Sequence, residues 1–430
     1  MKRQTKALLP VSLGRAGLPY ARGIHAGEWV FATGVLATDF KNGPAPEISA
    51  PRPLSGQPRW QREASCLYAR AGEVLQAAGA DFSHVVRTDQ YFPDWRAVPF
   101  FHEVRRERCG RYIPPSTSVL EPGLLFPGAA MAMDLIAVTP NGQRKPRPVH
   151  PDGLDLPATS SFVPVVTAGD FVFVAGFLAA WKPGDLGGIA PEAQVPPGHL
   201  WKGNRIQLEA DYIIRKKLIP ALTGAGSSLQ NVVKAQVYLA DINDVPAFNQ
   251  VWEKHFSGNV PATTFVPTRD PGFAIADARC EINLIALIDS GTTRKTTVSP
   301  PGLVPACDGH PIAVRAGDLL FFSGMVAADE DGLVKDARID PEQPYFGSSI
   351  EAQMEFLLDA AEKACIAAGT SLANVVRIQQ FHTDLGEFHL ACKAWQRRLP
   401  RQPLPISAIA VPPLLVAGCS VQLDLWVYAP

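Results

Sequence analysis

AGEWVFATGVLATD occupies Ala26 to Asp39, AGDFVFVAGFLAAW occupies Ala168 to Trp181, and AGDLLFFSGMVAAD occupies Ala316 to Asp329. One phrase is written three times, about 140 to 150 residues apart, with Gly34, Gly176 and Gly324 at matching points. A spacing that long predicts three tandem domains, each large enough for its own core, rather than a solenoid of short repeats. The features downstream recur in the same order. An amphipathic stretch closes on small residues at 75–82, 222–229 and 365–372, and a β-rich run follows as VVRTDQYF (85–92), NVVKAQVYL (231–239) and NVVRIQQF (374–381). A second helix then carries aromatics: Phe100 and Phe101, Phe248 and Trp252, Phe388 and Trp395. Each copy ends in a strand, AMDLIAV (132–138), CEINLIAL (280–287) or VQLDLWV (421–427). Period-two and period-three-to-four spacing supports these assignments, giving β–α–β–α–β–β units. Two helices on one face of a mixed sheet predict an α+β two-layer domain.

The expected domains are 1–145, 155–290 and 300–430. Pro-, Gly- and charge-rich linkers separate them at 139–157 and 289–311, and similar loops at 42–58 and 182–199 follow the opening strands. These loops fit either a cleft or surface decoration. The chain has 430 residues, 47% of them hydrophobic, which allows three sizeable cores. A formal charge of -1 without a long basic run argues against nucleic acid as a partner. No apolar run has the length of a membrane span. The N-terminal MKRQTKALLPVSLGRAG has a short apolar segment broken by Pro10 and does not read as a secretory signal. Seven irregularly spaced cysteines give neither CxxC pairs nor a disulfide framework, and a reducing, cytoplasmic location is expected. Nothing predicts a metal site or a cofactor: no HxxxH, P-loop, GxGxxG or GxSxG element appears.

GSSLQNVVKAQVYLADINDVPAFNQVWEKHF (226–256), PATTFVPT (261–268), CEINLIAL and the GLPYARG segment (17–23) together resemble the Rid proteins (RidA/YjgF), in order and three times over. The resemblance implies a chorismate-mutase-like fold and, since relatives are usually trimers with clefts between neighbours, a single-chain pseudo-trimer with central sheets and outer helices. It also implies a small-molecule substrate and hydrolysis or deamination of an imine, enamine or carbonyl-like metabolite. The alternatives are a divergent lyase or hydrolase of another class on the same scaffold, and a non-catalytic ligand-binding pseudo-trimer. Assembly into a homodimer of pseudo-trimers is left open.

The resemblance also points to residues. The family's P-A-R arginine, which grips a carboxylate, is matched by Thr117, Thr263 and Ser407, none of them cationic. Arg279, two residues before Glu281, is a candidate replacement. The family's water-positioning acid is matched by Ala132, Glu281 and Gln422, so only the second copy keeps a carboxylate for general-base work. The ring that closes over the ligand is matched by Tyr20, Phe162 and His310, of which His310 is best suited to proton transfer. Glu281 and His310 are the catalytic candidates. Thr263, Asn249 and Arg279 are expected around Glu281, and the second helix offers the series His102, Asn249 and His389. Gly34, Gly176 and Gly324 permit close approach of a ligand to backbone amides, though a bulge or tight packing accounts for them equally well.

Overall fold

The computed structural model describes residues 4–15, 17–49, 52, 55–154, 156, 162–181, 187–199, 201–340, 342–345 and 347–430. Parts of the loops 42–58 and 182–199 and of the linker 139–157 lie outside the described residues.

In each copy the sequence periodicity becomes one mixed sheet with two helices. In the first, an antiparallel set of Lys6–Leu13, Leu18–Ala26 and Trp29–Val35 meets the closing strand Ala132–Val138. That strand pairs in turn with Val85–Phe92, which runs parallel to the edge strand Ser116–Leu120. The second copy repeats the order with Phe171–Phe177, Cys280–Leu287, Val232–Leu239 and Ala262–Pro267. The third repeats it with Leu319–Phe322, Val421–Tyr428, Val375–His382 and Ile406–Ala410. The parallel edge pair needs a crossover, and the second helices Val98–Cys109, Val245–Phe256 and Phe388–Arg398 supply it. The first helices, Arg59–Ala77 and Ser349–Ala367, are continuous; in the second copy the equivalent helix, Arg205–Gly224, carries a π-turn at Ile214–Leu218, just ahead of Pro220, which has no N–H to give the ladder.

All three middle strands are buried at every position, so both faces of each sheet are covered. One face packs on its own helices. The other meets the sister sheets: Trp29, Phe31, Phe171, Phe173, Phe321 and Trp426 form one apolar cluster drawn from all three copies. Backbone bonds stitch each junction. Val163 N–H donates to Ile113 O at 2.8 Å, Gly324 N–H to Thr263 O at 3.0 Å, and Ala21 N–H to Leu404 O at 3.0 Å. The short strand Gly123–Leu124 of the first copy joins the sheet of the third through Ile409 and Ala410.

Beside the apolar cluster lies a buried polar layer. Its cations are Arg87, Lys234 and Arg377, one at the same place in each middle strand, and its carboxylates are Asp89, Asp134 and Asp424. Arg87 donates to Asp89 at 2.7 Å, Lys234 pairs with Asp424 at 2.9 Å, and Arg377 reaches both Asp89 and Asp134. Gln236 donates to Gln379 at 2.6 Å, and Gln379 to Asp134 at 2.8 Å. Three positive charges face three negative ones, as burial requires.

Candidate functional sites at the junctions

The strand registers fix which residues are equivalent. Ala132 lies opposite Tyr91, Glu281 opposite Tyr238 and Gln422 opposite Phe381, so these three occupy one place in the three closing strands. On the edge strands, Thr117 lies opposite Asp89, Thr264 opposite Gln236 and Ser407 opposite Gln379. Thr263 is therefore one residue out of step with Thr117 and Ser407; its counterparts are Ser116 and Ile406. Setting the P-A-R pattern on PAT of PATT picks Thr263, whereas the strand register matches Thr117 of PPST with Thr264, and successive strand residues face opposite sides.

Glu281 sits at the junction of copies one and two. A Cβ built on Gly176 would overlap its Oε1 and stand 2.8 Å from Thr117 Oγ1. Thr117 in turn accepts from Asn283 Nδ2 at 2.9 Å. Burial pushes the Glu281 carboxyl up to about 8; nearby Asp89 adds to this and Arg87 opposes it. At neutral pH this acid holds its proton, and it can exchange it near physiological pH.

Three expected neighbours of Glu281 lie elsewhere. Thr263 belongs to the junction of copies two and three, where it lines a cavity with Gly324, Gln422 and His310. Asn249 is there too, 2.6 Å from His310 Nε2. Arg279 turns to its own copy, with Nε donating to Asp244 at 2.9 Å and its backbone N–H to Glu209 at 2.7 Å. The Asp244 carboxylate accepts from both Nε and Nη2 of the guanidinium, so Arg279 is not poised beside Glu281.

The ring positions are equivalent in backbone terms. Ala175 N–H donates to Pro164 O and Ser323 N–H to Ile312 O, two residues beyond Phe162 and His310 respectively. Phe162 is half-buried and His310 is buried. Burial pushes the imidazole of His310 down to about 4, so it is neutral near pH 7 and no proton donor there. Tyr20 spends its hydroxyl on its own backbone, donating to Thr33 O at 2.6 Å. It lines an apolar cavity of about 10 Å³ with Gly34, Leu36, Ala132, Ile406 and Ser407.

The helix series also needs correction. Each second helix starts directly after a 3-10 turn, at Val98, Val245 and Phe388. His102 and Asn249 are both fifth residues, but the fifth residue of the third helix is Cys392. His389 lies on the exposed side, with Nδ1 3.1 Å from Gly386 O. Of the glycines, Gly34 has φ +68, while Gly176 and Gly324 lie against Glu281 and Gln422.

Among the described residues, no helix is long and apolar enough to cross a membrane. The endoribonuclease L-PSP family profile matches residues 154–288 and 305–427, more than half of the chain. A RutC family protein of Pyrococcus abyssi is 31% identical over 124 residues, 29% of this chain and 78% of that protein. The 2-iminobutanoate/2-iminopropanoate deaminase of Rattus norvegicus is 47% identical over 47 residues, 11% of this chain and 34% of that one. Among solved structures, a chorismatase matches with a TM-score of 0.51 at 11% identity, covering 81% of this chain and 93% of its own, a likeness of fold alone.

Proposed function

The chain belongs to the endoribonuclease L-PSP family, the Rid proteins, and on that premise we propose that it is a Rid-type hydrolase of an imine- or enamine-like metabolite, working at the Glu281 junction of a single-chain pseudo-trimer. The observation that carries the reading is the buried Glu281 carboxyl seated against Gly176, with its proton retained up to about pH 8. The corresponding positions are Ala132, which has nothing to transfer, and Gln422, which does not titrate. Support for the pseudo-trimer comes from the three-sheet apolar cluster and the bonds at each junction.

In this scheme the Glu281 carboxyl protonates the imine nitrogen and becomes a carboxylate. Water then adds to the carbon, giving its proton to that carboxylate and leaving a carbinolamine. Transfer of the same proton to nitrogen breaks the C–N bond while the hydroxyl returns its proton to the Glu281 carboxylate, releasing ammonia and a carbonyl product and restoring the acid. The test is ammonia release from uncharged imines generated in place by a flavin-dependent amine oxidase, compared between the wild type and Glu281→Gln. Loss of about 10² to 10⁴ in rate is expected for removal of a general acid–base group. Full activity in Glu281→Gln overturns the scheme.

A further inference from the structure

The junction of copies two and three holds a relay that this reaction does not use. Asn249 Nδ2 donates to Glu253 Oε1 at 2.7 Å. Four residues separate the two on one helix, so the contact is local to a single turn. It turns the amide so that Oδ1 meets His310 Nε2 at 2.6 Å, from the other side of the junction. An amide oxygen only accepts, so Nε2 carries the hydrogen and Nδ1 is left as a bare acceptor. Phe265 supports the ring, with centroids 5.7 Å apart.

His310 lines a cavity of about 20 Å³ together with Thr263, Phe265, Ser323, Gly324 and Gln422. The Gln422 side chain lies over Gly324, where an added Cβ would overlap its Nε2. Among the described residues, no charged side chain lines this cavity. It takes one polar head group rather than a whole metabolite. The other junctions lack the set: one has Phe162 with Glu281, and the other has Tyr20, committed to its own backbone, with Ala132.

We propose that this junction is a second ligand site, specific for a neutral head group with a donor beside an acceptor, of which a primary carboxamide is the simplest. Its N–H donates to His310 Nδ1, and its carbonyl oxygen accepts from Gln422 Nε2. An anion finds no cation there, and a wholly apolar group leaves both partners unpaired, which is costly in a buried site.

The test is titration of the full chain with propionamide and, separately, propionate, followed by the imidazole nitrogen signals of His310. His310→Phe assigns the signal, and it should fold because Phe162 already occupies the equivalent place. Propionamide is expected to shift the Nδ1 signal saturably, with propionate giving no shift. Gln422→Leu should weaken the propionamide response about tenfold or more, one lost hydrogen bond in a buried site. Glu281→Gln should leave it unchanged, which separates this site from the proposed reaction. No propionamide shift, an equal shift with propionate, or loss of the shift in Glu281→Gln would each overturn the proposal.

Discussion

Arg377 and Asp89 stand 288 positions apart in the chain, yet the guanidinium donates to the carboxylate at 2.5 Å with both side chains buried. The same Arg377 reaches Asp134 and lies over the Trp426 ring, 4.8 Å from its centroid. One cation thus ties the first sheet to the third at the point where polar layer and apolar cluster meet. Arg377→Met leaves Asp134 without its cation and Asp89 with only Arg87, and should cost about 3 to 5 kcal/mol, the range for breaking a buried pair. Arg397→Met, which removes exposed pairs with Glu351 and Glu355, should cost less than about 1 kcal/mol. Urea unfolding of the two variants checks the difference. Equal losses would mean that the central layer is no more than another surface network.

Glycine substitutions should divide structure from chemistry. At Gly34 an added Cβ meets Ile406 O within a backbone of φ +68, so Gly34→Ala should destabilise the protein by about 1 kcal/mol or more. At Gly176 the clash is with the Glu281 side chain, and the backbone carries no such φ. Gly176→Ala should therefore displace the carboxyl and lower turnover more than it lowers the melting temperature. Unchanged ammonia release in Gly176→Ala would remove the site from this junction.

The repeat was legible in the sequence, because the opening phrase, the small-residue helix ends and the closing strands recur as strings. The cations Arg87, Lys234 and Arg377 were also in view, as the third residue of VVR, VVK and VVR, but a strand pattern does not reveal whether its second face meets water or another sheet. The grouping of side chains across junctions was not legible. Thr263 and Glu281 share a copy yet lie in different junctions, because Val232–Leu239 separates their strands and each edge strand serves the next copy. Arg279 was misread for a related reason: its partner Asp244 sits at the start of a helix, and no string comparison places that helix beside the closing strand.

Activity on small 2-imino acids should be weak. No edge-strand position supplies a cation, and Arg279 is held by Asp244. A charge-assisted bond contributes about 1.5–3 kcal/mol, so its loss should cost roughly ten- to a hundredfold in recognition. Competition between 2-iminopropanoate and an uncharged imine of similar size checks this. A preference for the anion would show that another cation serves the site.

The last prediction uses the acidity of Glu281, raised from 4.5 to about 8 by burial. A raised folded-state value means that the fold favours the protonated carboxyl. The stability this lends is complete below about pH 4.5, drains away as pH rises toward 8, and is flat beyond. Glu281→Gln keeps the shape and cannot ionise. Its melting temperature should therefore match the wild type near pH 5 and exceed it at pH 9, by at most about 4 kcal/mol in stability if the whole shift is expressed. Wild-type turnover should fall above pH 8 as the proton donor is lost, and the residual rate of Glu281→Gln should lack that limb. Parallel melting curves for the two proteins from pH 5 to 9 would mean that Glu281 ionises as an ordinary carboxylate, and proton donation at this junction would have to be abandoned.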